Sequence, residues 1–270
     1  MFDTLIHKWL RIPYSLHVRY NQRPKKPQAT VILIHGIGNS GEAWAPVIKK
    51  LPDDIRVITI DLLGFGESPK PQWAVYSAKT QANSVLATYF RLRIRGPVII
   101  VGHSLGALVA VEIAKRYPLL IKALILCSPP FYKLDDTERR LIPRTDMILR
   151  DMYNAALKYP EQFVRLSTLA VKYKLVSKTI NLNNDNVDSY MAALEATIMN
   201  QTSLQDAKKL RLPIYILRGT LDPVVIGRNL KELAKANKHV KLKSVVASHE
   251  IYGLFVPAVV KAIRETIEPK

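Results

Sequence analysis

Gly102-His103-Ser104-Leu105-Gly106 sets one serine between two glycines, directly after the apolar run 98–101 and before a helical pattern. Small residues at both flanks permit a tight strand-to-helix turn that lifts the serine oxygen clear of the backbone, while the following helix turns its positive backbone dipole toward developing negative charge. A serine hydroxyl is a weak nucleophile at neutral pH. It needs a base to take its proton and a third group to orient that base, and acyl chemistry adds two donors aimed at the oxygen that becomes negative. Six histidines compete for the base: His7, His17, His35, His103, His239 and His249. Position decides among them.

The elements that set those positions are legible as short apolar runs rich in β-branched residues, at 29–34, 57–60, 98–101, 123–126, 214–217 and 240–246, preceded by an alternating stretch at 15–20. Helical patterns fall mostly between them, at 44–51, 76–92, 105–116 and 229–236, and a closing helix is expected at 254–267. Strands buried on both faces and alternating with helices predict an α/β fold with a mostly parallel central sheet, because parallel neighbours need crossover connections. The alternation breaks between about 131 and 210, where helical segments continue without a convincing strand. Residues 1–130 and 211–270 are therefore read as one core, and 131–210 as a helical cap inserted in it. Tyr132, Met147, Met152, Tyr153, Phe163, Tyr173, Tyr190, Met191 and Met199 in that insert hold it together or line an apolar pocket.

Three further motifs follow strands: His35-Gly36-Ile37-Gly38 after the first strong run, Asp61-Leu62-Leu63-Gly64-Phe65-Gly66-Glu67-Ser68 after the next, and Gly219-Thr220-Leu221-Asp222 after a late one. With the Ser104 motif, their order and spacing resemble the α/β-hydrolase family over nearly the whole chain, especially its cap-bearing serine esterases and carbon–carbon bond hydrolases. The resemblance implies the α/β-hydrolase fold and a nucleophile, acid and histidine in that chain order.

Asp222, in the loop after 214–218, and His249, after 240–246, would both emerge at the carboxyl ends of sheet strands beside Ser104. Their order along the chain is serine, acid, histidine. His7 and His17 precede the core, His35 belongs to the His-Gly turn, His103 adjoins the serine and His239 precedes a strand. Asp135 and Asp136 are alternative acids, placed in the expected cap. The histidine loop departs from the family pattern, reading Ala247-Ser248-His249-Glu250 where many relatives have glycine. Oxyanion stabilisation is expected from the backbone N–H of Leu105 and that of Ile37. His35 is expected to shape its turn, Asp61 to Ser68 to organise another, and Cys127 to be a small buried residue.

Composition limits the other possibilities. Apolar residues make up 48% and charged residues 23%, ordinary for a globular chain of 270 residues. One cysteine excludes an internal disulfide and a cysteine-rich metal site, and fits a reducing compartment. Asp3, Lys8 and Arg11 interrupt the N-terminal apolar residues, so no signal-peptide core is expected and a soluble, cytoplasmic protein is. Forty Lys and Arg against 22 Asp and Glu give +18, but scattered along the chain and without a nucleic-acid-binding signature. Weak attraction to anionic surfaces is expected, and no specific nucleic-acid partner.

The expected activity is hydrolysis of a small-molecule carboxylic ester by Ser104, His249 and Asp222 through an acyl-enzyme, without metal or organic cofactor. A serine nucleophile argues against the family's carboxylate-nucleophile branches. Carbon–carbon bond hydrolysis of diketone-like ring-cleavage products, acyl transfer and cofactor-free perhydrolysis use the same residues. A noncatalytic ligand-binding protein on the same fold is the alternative of a different class.

Overall fold

A computed structural model describes residues 2–132 and 186–268, together with residues 158, 159, 162, 165, 166 and 169. Its centre is a 7-stranded sheet: β1 (Val18–Gln22), β2 (Ala29–Ile34), β3 (Ile55–Ile60), β4 (Val98–His103), β5 (Ile121–Cys127), β6 (Ile214–Gly219) and β7 (Val240–Val245). The spatial order is β1-β3-β2-β4-β5-β6-β7, and only β1 runs antiparallel to its neighbour. Ile and Val dominate β2 to β4, where branched side chains fit a pleat covered on both faces.

Side chains alternate across the pleat, so each strand feeds two cores. Ile32, Ile34, Ile58, Ile60, Ile100, Leu124 and Ile216 point into one, and Val31, Leu33, Val57, Ile99, Val101 and Ile125 into the other. The first core is covered by α2 (Ala78–Arg91), α3 (Leu105–Arg116), α5 (Ser203–Lys209) and α6 (Gly227–Ala236). A 3₁₀ turn at Gly41–Trp44, the short α1 (Ala45–Ile48) and the closing α7 (Phe255–Ile267) cover the second. Burying each Leu or Ile in these layers contributes roughly 1.5–3 kcal/mol.

Several elements differ from the sequence expectation at their edges. The helix expected at 44–51 is a 3₁₀ turn running into one turn of α1, with Pro46 inside it. β7 is the sheet edge, so Lys241 and Lys243 stay exposed while only Val240 is buried, and it is not the doubly covered strand its apolar run implied. A π-helical turn at Thr4–Trp9 precedes β1 and was not expected.

Between β5 and β6 the described residues form α4 (Val187–Ala193), a π-helical stretch at Leu194–Met199, and α5. Ala193, Leu194, Ile198, Leu204 and Ala207 pack into the same core as α2 and α3. Asp135, Asp136, Met147, Met152, Tyr153, Phe163 and Tyr173 lie outside the described residues. Among the described residues no helix is long and apolar enough to cross a membrane.

Candidate active site

Ser104 stands between β4 and α3 with φ 52° and ψ −119°, the dihedrals of the first central residue of a type II′ turn, a position glycine favours. Its neighbours explain how the turn closes. A Cβ on Gly102 would come 2.3 Å from the Gly106 carbonyl oxygen, and one on Gly106 would come 2.4 Å from the Ile34 carbonyl oxygen. Both glycines are therefore required by backbone packing against backbone. The Ser104 N–H donates to the Cys127 carbonyl at 2.9 Å, tying the turn to the end of β5.

Asp222 and His249 meet across the ends of β6 and β7. The two loops continue the strand pairing, with Thr220 N–H to the Val245 carbonyl at 2.8 Å and Leu221 N–H to the Ala247 carbonyl at 3.1 Å. Gly219 makes the close approach, since a Cβ there would lie 2.4 Å from the Ser248 carbonyl oxygen. A glycine beside His249 is not what brings these loops together; Gly219, the last residue of β6, is.

His249 Nδ1 lies 2.8 Å from Asp222 Oδ2. An ionised carboxylate only accepts, so Nδ1 carries the proton and Nε2 is left free to take one. Asp222 also accepts from the Val224 N–H at 2.9 Å. The Ser128 hydroxyl, buried and without another partner, faces the same carboxylate. Burial alone would raise the Asp222 pKa, but His249, Ser128 and the Val224 N–H outweigh it and hold the carboxyl below its usual value.

The His35–Gly38 turn abuts the serine. A Cβ on Gly36 would lie 3.2 Å from Ser104 Cβ and 3.0 Å from His103 Nδ1. His35 Nε2 accepts from the Leu62 N–H at 2.9 Å, so its Nδ1 is the protonated nitrogen and donates to the Gly36 carbonyl at 2.7 Å. In a trans peptide the carbonyl and the next N–H point opposite ways. Holding the Gly36 carbonyl thus fixes the direction of the Ile37 N–H. Leu105, the first residue of α3, has an N–H that the helix cannot itself satisfy.

Two buried histidines brace the site as neutral rings. Burial pushes His35 down to about 4. His103 is pushed down to about 3, first by burial and then by its neighbour His249. His103 Nε2 is 2.9 Å from the His249 carbonyl, an acceptor, so the ring donates there and ties the serine turn to the 247–250 loop. Beside them, burial raises the Glu250 carboxyl. Position in the sequence marked His103 only as a neighbour of the serine; its bond to His249, 146 residues away, carries no local signal. Ser128, at φ 48°, was likewise missed, and its position just after an apolar strand was the one available hint.

Asp61 organises the turn the sequence suggested. Its buried carboxylate accepts from the Arg19 guanidinium at 2.7 Å, the Gly41 N–H at 2.7 Å and the Glu67 N–H at 2.9 Å. Cys127 is fully buried, which raises its thiol pKa and keeps it protonated. Among the described residues no group of three or more His, Cys, Asp or Glu could hold a metal. The arrangement can supply a hydroxyl raised on a strand-to-helix turn, a carboxylate-held imidazole with a free nitrogen, and backbone N–H groups beside them.

A family model described as alpha/beta hydrolase fold matches residues 29–252. A protein of Arabidopsis thaliana named "Probable lysophospholipase BODYGUARD 4" is 33% identical over 110 residues, 40% of this chain and 26% of its own. The chain spans less than two fifths of the length of that protein and of two further curated relatives from Arabidopsis thaliana that it matches. Among solved structures, a bromoperoxidase from Bacillus anthracis superposes with a TM-score of 0.74 at 21% identity, over 92% of this chain and 94% of its own. A thermophilic esterase from Thermogutta terrifontis does so with 0.70 at 22% identity, over 89% of each chain. At these identities the structural likeness concerns the fold.

Proposed function

Because the chain belongs to the α/β-hydrolase family, we propose that it is a serine hydrolase that cleaves a carboxylic ester through Ser104, His249 and Asp222. His249 Nε2 takes the Ser104 proton as the oxygen attacks the ester carbonyl carbon. Negative charge moves to the carbonyl oxygen, where the Leu105 and Ile37 N–H groups meet it; one such donor is worth roughly 2.7–4 kcal/mol of barrier. Collapse breaks the carbon–oxygen bond to the alcohol, which leaves with the proton from His249. Water, deprotonated by the same nitrogen, then attacks the acyl-enzyme and releases the acid and Ser104. Asp222 holds the imidazole and stabilises its charged form without taking its proton.

The observation that carries this reading is the His249–Asp222 hydrogen bond of 2.8 Å beside a serine at φ 52°. Neither is needed by a binding protein, and a serine in a strained backbone persists where its oxygen has to be presented. Residues 131–210 are read as a cap inserted between β5 and β6, supported by the helix at Val187–Ala193, while Ser203–Lys209 at its end packs on the sheet core. Cytoplasmic placement is read from the lone, buried Cys127.

A fluorophosphonate probe and a panel of p-nitrophenyl esters of graded acyl length test the proposal. Wild-type protein is expected to be labelled at Ser104 and to hydrolyse at least one ester, with both lost in Ser104→Ala. Labelling elsewhere, or ester hydrolysis that survives Ser104→Ala, overturns it.

A further inference from the structure

The segment before β1 is turned inside out. In an ordinary amphipathic helix the apolar side faces the core, yet the turn at Thr4–Trp9 has no buried residue. Phe2 is 80% exposed, Trp9 74% and Leu10 62%, and Leu5 is exposed too. Leu5 and Trp9, four residues apart along the π-helical turn, fall close to one another on its outer side.

The polar side is the one used for attachment. The His7 ring stacks on Tyr14 with centroids 3.6 Å apart, His7 Nδ1 lies 2.7 Å from the Ile12 carbonyl, and the Tyr14 hydroxyl donates to Asp3 at 2.7 Å. Tyr14 in turn packs near Trp73, in the loop that leaves the carboxyl end of β3. The segment is thus held in place with its apolar side outward.

Charge indicates what that side meets. Asp3, the segment's one acid, is engaged by Tyr14, while Lys8 and Arg11 are exposed between the apolar residues, on a chain of net +18. Apolar side chains interleaved with exposed cations fit the boundary between acyl chains and anionic headgroups, which takes both. A second protein copy would bring the same positive charge against itself. Topology adds the orientation: β1 is antiparallel, with Val18 paired to Ile60, so the chain enters it at the carboxyl edge of the parallel strands. That is the edge from which Ser104, Asp222 and His249 emerge.

We infer that residues 2–12 are a docking segment for an anionic lipid bilayer, which they hold against the edge of the sheet that carries the candidate active site. The inference does not rest on the ester-hydrolase reading, because its readout is binding.

The full chain is tested by flotation with phosphatidylcholine vesicles, with and without 30% phosphatidylglycerol, and by tryptophan fluorescence. Wild-type protein is expected to float with the anionic vesicles only, with a blue shift that Trp9→Phe abolishes, which separates Trp9 from the partly buried Trp73; Trp44 is fully buried. Trp9→Ser/Leu10→Ser should weaken binding at least about tenfold. Lys8→Gln/Arg11→Gln should weaken it roughly fivefold for each charge removed, as should raised salt. Unchanged melting temperatures would show that both variants fold. Absence of wild-type binding, equal binding to uncharged vesicles, or wild-type affinity in Trp9→Ser/Leu10→Ser overturns the inference; the last would leave only the general +18 charge. So does a dimer in light scattering that Trp9→Ser/Leu10→Ser dissociates, since the occupant would then be a second copy.

Discussion

Replacing Ser104 by glycine should make the protein more stable than replacing it by alanine. At φ 52° and ψ −119° any residue with a Cβ is strained, at a cost of order 1–3 kcal/mol. Alanine keeps the Cβ and therefore the strain; glycine removes both. Against this, glycine gains freedom in the unfolded chain, worth about 0.5–1 kcal/mol. Ser104 makes no side-chain capping bond to α3, so neither substitution loses one. At mid-range, about 2 against about 0.75 kcal/mol, the difference is roughly 1.2 kcal/mol in favour of glycine, or about 2–5 °C in melting temperature for a chain of this size. Urea unfolding and thermal melts of Ser104→Ala and Ser104→Gly at pH 7 measure it, and both proteins should lack hydrolytic activity. Equal midpoints, or a lower one for glycine, would refute the idea that the turn stores strain at the serine.

Two more outcomes follow from the buried histidines. His103→Ala removes the donor to the His249 carbonyl, so ester hydrolysis should fall about 10–100-fold in kcat/KM, matching a bond of about 1–3 kcal/mol; a change under about twofold would show that the bond does not position His249. Acid should destabilise the fold well before its carboxylates titrate. His35 and His103 have folded values of about 4 and about 3, below the ordinary 6.5, so between pH 6.5 and 4 the unfolded chain binds more protons and stability falls as pH falls. From pH 6 to pH 5 the pair should cost on the order of 2 kcal/mol, seen as a lower urea midpoint, and a flat midpoint over that interval would sink the assignment.

The sheet strands were legible because apolar β-branched runs bounded by turn residues report burial on two faces, and Ser104 because two glycines at fixed spacing report a closed turn. What escaped was pairing at a distance. Nothing near Arg19 announces that its guanidinium meets Asp61, 42 residues on, and nothing in Ala247-Ser248-His249 says that the close contact is made by Gly219. The exposed side of Thr4–Trp9 escaped for a related reason: periodicity shows that apolar residues share a side, but only packing shows which way that side faces. β7 was misjudged as covered because an apolar run interleaved with lysines reads alike in the middle of a sheet and at its edge until the strand order is known.

The second core has a consequence for how the protein is made. Val31, Leu33 and Val57 leave the ribosome early, whereas Phe255, Val259 and Ile263, which cover that face, belong to the last helix. At ~5–20 residues per second the interval is roughly 10–40 s. During it the part of that apolar face that α7 covers stays open to solvent or to chaperones, since Trp44 and Val47 cover only the rest. Completion of this half of the fold is therefore set by the clock of translation, and a chain released before α7 would be a substrate for quality control.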